Sequence, residues 1–416
     1  MILERIPAGA VAIEIDRWPG KTVATSRRIE SIDLLRGAVM ILMALDHVRD
    51  YLHFDSLVFS PTDLARTTPA LFATRLITHL CAPAFILLAG TSADLIARRR
   101  TIAGASTFLL TRGAWLVVLQ LTVVRFAWNF DPAFHYNSSN IISTIGFSMM
   151  ALALLIHLRP RTILAVGLAM VIGHNALDGV SFPDGSASDV VWSFLHVRKL
   201  YALPGSRSFL FLYPLVPWVG VMALGFCLGR MYEPDWSSGR RRRVLLRLGV
   251  LSLQAFVLLR WANVYGDPSP WVRQARPAAT IMSFLNVEKY PPSLLYLCLT
   301  LGVALLVLGL LEGHSLKAWK PVIVFGKVPM FYYVVHIFVI HAAAMVAVVS
   351  AGYSWRTMVF FGSQNQASPA LKGRFGFTLA QTWAIWAGIV VLLYPLCARW
   401  NSFKARHAGE WWVSYV

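Results

Sequence analysis

The sequence predicts an all-α polytopic membrane protein with about ten transmembrane helices. The chain has 416 residues, of which 57% are hydrophobic and only 14% are charged, whereas soluble domains carry about 25% charged residues. Long apolar runs recur along the whole chain, and each approaches the roughly 20 residues that a helix needs to cross a bilayer. These runs do not alternate between polar and apolar residues, which argues against transmembrane β-strands.

The apolar runs predict one transmembrane domain at 34–398, between a cytosolic amino-terminal tail at 1–33 and a cytosolic carboxy-terminal tail at 399–416. The predicted spans are 34–52, 72–97, 107–128, 139–158, 161–177, 208–229, 244–264, 293–311, 328–350 and 377–398. The first thirty residues lack the apolar core of a cleavable signal peptide, so the first span is expected to direct membrane insertion.

Basic residues are unevenly divided between the two sides of this topology. With a cytosolic amino terminus, the inner segments together with Arg161 hold 21 Lys and Arg, whereas the outer segments hold 10. Such an excess marks the cytosolic side of membrane proteins, and it predicts ten spans with both termini cytosolic. Topology thus accounts for the net charge of +18. No nucleic-acid-binding module is visible, so nucleic acid is not an expected partner.

The four cysteines indicate neither a disulfide framework nor a zinc site. Cys81, Cys227, Cys298 and Cys397 fall in four different apolar runs without a CxxC pair, and apolar packing is their expected role. The sequence suggests no metal cofactor. The long outer loops at 178–207, 265–292 and 351–376 are either solvated connections or a lid over a bound acceptor.

Ionisable residues end the first span. An apolar stretch at 38–45 is followed by Asp46, His47, Arg49 and Asp50, and such groups within a membrane usually face a cavity or a partner. An early helix end at the membrane surface is the alternative. Arg36 lies eleven residues before His47, which is almost three helical turns, so both side chains face the same way about 16 Å apart. His47 and Asp46 are therefore candidate catalytic residues.

Arginines near the predicted cytosolic edge suit the phosphates of a CoA carrier, because guanidinium groups bind phosphate in a bidentate manner. The candidates are Arg36, Arg98, Arg99 and Arg112. The triple arginine at 98–100 is equally explained as a topology signal.

Histidines of other spans reach a similar depth. His79 of the second span lies about 10 Å from the outer side, where an adjacent antiparallel helix could bring it near His47. His336 and His341 of the ninth span are five residues apart, so at most one is expected to point into a given site.

Ordered motifs along nearly the whole chain resemble the heparan-α-glucosaminide N-acetyltransferase-like family, within the wider transmembrane acyltransferase superfamily. They include RIESIDLLRG at 28–37, Asp46-His47, CAPAFILLAGT at 81–91, YPLVPW at 213–218, KYPPSL at 289–294 and 326–336. The Arg36–His47 spacing also resembles the basic-residue-to-histidine motif of the acyltransferase-3 group. The chain is similar to bacterial-type members, which implies an inner (cytoplasmic) membrane location.

The resemblance implies acetyl-CoA, or another acyl-CoA, as donor and a saccharide-like acceptor on the far side of the lipid bilayer. It also implies a central histidine. In animal members that histidine lies beyond the first helix, so His53 and His79 are alternatives to His47. Residues assigned to acceptor binding are His53, Arg75, His336, His341, Lys289 and Tyr290.

The mechanistic hypothesis gives His47 the role of general base or transient acyl acceptor. Asp46 or a neighbouring polar group sets the tautomer of His47, or Asp46 orients another residue such as His79. A secondary transporter is the main alternative function, and a scaffold without chemistry is a third. The acceptor, the acyl chain length and the oligomeric state, including a homodimer, stay open.

Overall fold

A computed structural model describes residues 29–362, 368–407, 410 and 413. Most of the predicted amino-terminal tail, with Arg28 of its motif, lies outside these residues. The described chain is mostly helical, as predicted. Its helices are α1 (Glu30–Leu52), α2 (Pro69–Thr78), α3 (Cys81–Ala97), α4 (Ile102–Leu119), α5 (Arg125–Asn129), α6 (Ile141–Leu155), α7 (Pro160–Gly173), α8 (Ala187–Leu195), α9 (Leu215–Gly229), α10 (Ser238–Ala262), α11 (Pro277–Leu285), α12 (Leu294–Leu311), α13 (Lys320–Lys327), α14 (Pro329–Ser350) and α15 (Leu379–Arg406).

Eight helical segments within the described residues are long and apolar enough to cross a membrane. They are Pro69–Ala97, Ile102–Asn129, Pro160–Leu177, Leu215–Tyr232, Ser238–Ala262, Leu294–Leu311, Pro329–Ser350 and Leu379–Arg406. Each coincides with a predicted span. The remaining two predicted spans correspond to α1 and to the shorter apolar helix α6. The count of ten spans and the side of each terminus stay predictions.

Three predicted boundaries change in the structure. The second span is interrupted after Thr78 and resumes at Cys81. The sixth span begins as a strand rather than a helix, because the chain at Arg207–Phe211 pairs with two other strands before Pro214 precedes α9. The last helix continues to Arg406, so the first eight residues of the predicted carboxy-terminal tail are helical.

A small sheet accompanies the helices, an addition to the predicted all-α fold. Its strands are β1 (Tyr136–Ser139), β2 (Lys199–Leu203) and β3 (Arg207–Phe211), in the order β1-β3-β2. β1 runs parallel to β3, and β2 runs antiparallel to it. Strand β2 and the first residue of β3 belong to the segment at 178–207. Part of that predicted loop is therefore regular secondary structure.

Helix α1 lies at the centre of the fold, where it packs against α2, α3, α12, α13, α14 and α15. Its closest approach is to α13, at Gly37 and Gly326. A Cβ atom at Gly37 would lie 2.0 Å from the Val322 carbonyl oxygen, and one at Gly326 would lie 1.8 Å from that of Asp33. Small residues at helix contacts let backbones approach in this way. The approach brings the Gly326 carbonyl within 3.2 Å of Arg36 Nη1.

Candidate functional site

One cavity of about 960 Å³ follows α1 along most of its length. Arg36, Ser92, Lys327 and Lys404 line one part, called here the Arg36 end. The Lys289 end is lined by Asp46, Arg49, Asp50, Arg75, Glu288, Lys289 and Tyr290. His47, Trp128 and Tyr333 belong to the same lining, and so does Arg112 of α4. Arg36 and His47 therefore face one space, as their spacing predicted.

The imidazole of His47 pairs with a second imidazole, that of His336. His47 Nδ1 lies 2.8 Å from His336 Nε2, and His336 Nδ1 lies 2.8 Å from the backbone carbonyl oxygen of Tyr332. A carbonyl oxygen only accepts hydrogen bonds, so His336 Nδ1 carries the proton. A neutral His336 then accepts at Nε2 from His47 Nδ1–H, which leaves His47 Nε2 with a free lone pair. This chain of contacts fixes the tautomer that a base or nucleophile requires.

Asp46 does not orient either imidazole, and this part of the hypothesis is wrong. Its carboxylate accepts from Arg75 Nη1 at 2.6 and 2.7 Å and from Thr78 Oγ1 at 2.7 Å. Arg49 Nη1 lies 2.7 Å from the same carboxylate, and Arg49 Nη2 donates to Asp50 at 2.6 Å. Two arginines and two aspartates thus form a charge-balanced cluster that joins α1 to α2. Buried charges persist only when they are paired in this manner.

His79 reaches the cavity at the interruption between α2 and α3. Pro83 has no N–H with which to bond the His79 carbonyl four residues earlier. The hydroxyl of Tyr296 donates to that carbonyl instead, at 2.8 Å. The His79 ring packs edge-on against Tyr296, with ring centroids 5.4 Å apart, rather than against His47.

Among the predicted acceptor-binding residues, Arg75, Lys289 and Tyr290 line the cavity. Burial would raise the pKa of Tyr290, but the nearby cations Lys289 and Arg75 outweigh it, and the pKa lies below its usual range. The Tyr290 and Tyr213 hydroxyls are 3.5 Å apart. This end of the cavity therefore presents hydroxyl, ammonium and carboxylate groups together.

The other three predicted acceptor-binding residues do not line the cavity. His53 is buried and accepts from the Ser56 backbone N–H at 3.3 Å. His336 lies behind His47. His341 lies 2.9 and 2.7 Å from the carbonyl oxygens of Ala127 and Met358, where it stacks on Phe130. Each of these imidazoles has a polar partner within the protein.

Two of the four predicted donor-binding arginines do not line the cavity. Arg98 is paired with Asp94 and with Glu233, the latter at 3.3 Å, and does not line the cavity. Arg99 is exposed outside the lining. The topology interpretation of the triple arginine fits these positions better. Arg36 and Arg112 do line the cavity.

Sequence reasoning did not assign Lys327 or Lys404 to the lining, or Thr78 as a partner of Asp46. Arg49, which was grouped with Asp46 at the end of the first span, does line the cavity. Lys404 was assigned to a tail. Its place in the lining follows from the continuation of α15 beyond the predicted span.

Residues 28–260, more than half of the chain, match the sequence model described as heparan-alpha-glucosaminide N-acetyltransferase, catalytic. The chain belongs to this family. No curated protein matches the chain in a search of such proteins.

Membership in the heparan-alpha-glucosaminide N-acetyltransferase family makes the protein a transferase of a membrane-embedded acetyltransferase group. The matched residues include α1, α2, α3 and α4, and thus Arg36, His47 and Arg112. His336 and Lys289 lie beyond the match. The cavity is therefore assembled from both the matched part of the chain and the part that follows it.

Proposed function

We propose that the protein moves an acyl group, acetyl in the first instance, from cytosolic acyl-CoA to a saccharide-like acceptor on the opposite side of a bacterial inner membrane. The observation that carries this proposal is the single cavity that contains Arg36, His47 and Lys289 in its lining. The Arg36 end is assigned to the cytosolic side because basic inner segments favour that orientation.

The donor is proposed to enter at the Arg36 end. Arg36, Lys327, Lys404 and Arg112 supply positive charge for the phosphates of CoA. From Arg36 to His47, α1 rises about 16 Å, a distance that an extended pantetheine arm covers. The apolar side chains of Met40 and Met43 line the intervening wall, so the thioester would arrive beside the His47 ring.

His47 Nε2 is proposed to accept the proton in direct transfer. An acceptor hydroxyl or amine gives its proton to Nε2 while its oxygen or nitrogen attacks the thioester carbonyl. The C–S bond breaks, and the CoA thiolate takes the proton. His336 stabilises the resulting imidazolium of His47 by accepting from Nδ1–H, as its contacts allow.

In the alternative route, Nε2 itself attacks the thioester carbonyl. The C–S bond breaks to give acyl-His47 and the CoA thiolate, and the Nδ1 proton of His47 passes to His336 Nε2. The acceptor then attacks the acyl carbon and the bond from that carbon to Nε2 breaks. His336 returns the proton to His47 Nδ1, and the acceptor proton neutralises the CoA thiolate. Purified protein incubated with labelled acetyl-CoA without an acceptor distinguishes the routes, because only this one leaves a label that His47→Ala abolishes.

The acceptor is proposed to bind at the Lys289 end. Saccharides present hydroxyl and amino groups, and Asp50, Glu288, Lys289 and Tyr290 offer donors and acceptors for both. The Asp46 cluster holds Arg75 and Arg49 in place beside them.

The decisive experiment measures acetyl-CoA binding and transfer with detergent-solubilised protein, with glucosamine as the test acceptor. We expect saturable binding of acetyl-CoA to wild type and to His47→Ala, and transfer by wild type alone. His157→Ala is the matched control, because His157 is exposed and outside the lining. Absence of acetyl-CoA binding would favour a transporter, and wild-type transfer by His47→Ala would remove His47 from the mechanism.

A further inference from the structure

A second group of histidines lies outside the cavity lining, at the end of α7. His174 and Asp178 follow α7, and His196 follows α8. One ligand atom from each of these residues lies within 4.8 Å of those of the other two. Both imidazoles are buried, whereas the Asp178 side chain is 31% exposed.

The hydrogen bonds of this group are incomplete. Neither ring nitrogen of His174 has a hydrogen-bond partner among the described residues, and neither does His196 Nδ1. Buried polar side chains are nearly always paired, and leaving one unpaired costs about 1–3 kcal/mol. An imidazole without a partner among the described residues, beside a second imidazole and a carboxylate, therefore favours a ligand-binding role for this group.

We infer that His174, Asp178 and His196 bind one divalent transition-metal ion, with Zn²⁺ as the expected metal. Neutral imidazoles and a carboxylate are the usual protein ligands of zinc, and three such residues leave a fourth position for water. Ligands of a tetrahedral zinc ion are separated by about 3.4 Å. The three side chains thus need to close by about an ångström or slightly more to hold it.

The surroundings support this assignment. His196 Nε2 already lies 3.0 Å from Asp178 Oδ1, and Asn175 Nδ2 donates to Asp178 Oδ2 at 2.9 Å. The second contact orients the carboxylate, as groups beyond the direct ligands do in metal sites. The exposed side of Asp178 gives the ion a path from solvent.

The proposed metal site would join the end of α7 to the start of β2, and both of these segments contact residues at the Lys289 end of the cavity. Asn175 Oδ1 accepts from the Leu294 N–H at 2.8 Å, just after the 289–293 segment. Arg198, two residues after His196, lines the cavity and lies over the Tyr290 ring at 5.8 Å. The ion would thereby fix α8 and β2 to the end of α7 and restrain Arg198.

The experiment uses full-length protein with an affinity tag that lacks histidine, stripped with chelator and titrated with Co²⁺ alone. We expect one equivalent of Co²⁺ with the visible absorption of a tetrahedral nitrogen and oxygen site, displaced by Zn²⁺. His174→Ala and His196→Ala should each weaken binding at least tenfold. His135→Ala is the matched control, because His135 lies 3.0 Å from Asp131 but belongs to no group of three metal-ligating residues within the part of the chain that the structure describes.

Asp178→Asn provides a test less dependent on folding, because that side chain is partly exposed. It should weaken Co²⁺ binding while the protein remains monodisperse in gel filtration. Failure of wild type to bind Co²⁺ or Zn²⁺ at millimolar concentration would overturn the inference. Unchanged binding in both histidine variants would do so too, since the ion would then lie elsewhere.

Discussion

Tyr332 accepts a hydrogen bond from His336 through its backbone carbonyl, and that contact determines the protonation of His47. The sequence placed His47 and His336 among the candidates but assigned the tautomer of His47 to Asp46 or a neighbouring polar group, without naming His336. It could not do better, because residues 47 and 336 meet only through the packing of α1 on α14. Asp46 is adjacent to His47 in the chain, but its side chain points about 100° away around the helix axis. The hydrogen-bond partners of Asp46 are Arg75 and Thr78.

Replacement of His336 should distinguish a role in positioning the His47 proton from a purely structural role. We expect His336→Ala to reduce turnover by about 10²-fold, because His47 loses the group that holds its Nδ1 proton. His336→Gln should recover part of that loss. Its carbonyl oxygen can accept from His47, and its amide can donate to Tyr332. Acetyl-CoA turnover and binding by the two variants provide the measurement.

Equal turnover by the alanine and glutamine variants would contradict this role of His336. Acetyl-CoA affinity should stay near that of wild type in both, since His336 lies outside the cavity lining. His157→Ala again serves as the control for a histidine loss at an exposed position.

At the scale of elements, apolar runs predicted where most helices lie, because each run is long enough to span a bilayer. Interruptions were less visible. Pro83 signalled the end of a helix before it, yet the run at 72–97 was read as continuous. Residues 208–211 of the strand at Arg207–Phe211 were read as helix because they begin the mostly apolar run at 208–229. Pairing with distant strands cannot be inferred from an apolar run alone.

The contact between α1 and α13 should tolerate no side chain at Gly326. We expect Gly326→Ala to lower the free energy of unfolding by about 1–3 kcal/mol or more, because the new methyl group meets the Asp33 carbonyl oxygen. Gly388→Ala in α15 is the matched control, since a Cβ there meets nothing within 4 Å. Thermal melting in detergent measures both. A melting temperature for Gly326→Ala equal to that of Gly388→Ala would contradict the close approach.

The segment at 184–201 has a pH-dependent ion pair. Lys199 Nζ donates to Asp189 at 2.8 and 2.9 Å and to Asp184 at 2.6 Å. These hydrogen bonds hold the pKa of Asp189 below its usual range and raise that of Lys199. Because the Asp189 pKa is lowered in the folded state, its contribution to stability is complete above its unfolded pKa of about 3.9 and disappears in acid.

Lys199→Met should therefore lower the melting temperature at pH 7, and the difference from wild type should shrink as pH falls from 5 to 3. Melting curves across that interval provide the measurement. Lys372→Met is the control, because Lys372 is exposed. A melting-temperature difference that stayed constant between pH 5 and 3 would show that Lys199 stabilises the fold through packing of its aliphatic stem and not through its charge.

At the scale of the whole molecule, the cavity depends on residues from 36 to 404 of the chain. The sequence identified the contribution of α1, because Arg36 and His47 share one helix and their relation follows from helical geometry. Lys327, Lys404 and Arg198 come from other elements, and their convergence depends on packing that a single sequence does not reveal. Conversely, Arg98 and Arg99 were assigned to donor binding because they follow the second predicted span at its cytosolic edge, but they do not line the cavity.

Neutralising the Arg36 end should weaken donor binding specifically. We expect Arg36→Gln and Lys327→Gln each to raise the Kd of CoA about tenfold or more, since a hydrogen bond to a charged group contributes about 1.5–3 kcal/mol. The loss should diminish in high salt. Arg98→Gln is the control, because Arg98 pairs with Asp94 and Glu233 away from the lining. Equal weakening by Arg98→Gln would indicate a general effect of net charge.

Because Arg36, His47 and Asp50 all belong to α1, their mutual placement depends on the exact number of residues between them. Insertion or deletion of one residue at 38–45 would rotate one set relative to the other by about 100° around the helix axis. Arg36 would then bind the CoA phosphates on one side of α1, while the His47 imidazole pointed to another side, away from the thioester. The side chains at 38–45 can therefore be substituted, but the number of residues in that segment cannot change without separating Arg36 from His47 around the helix.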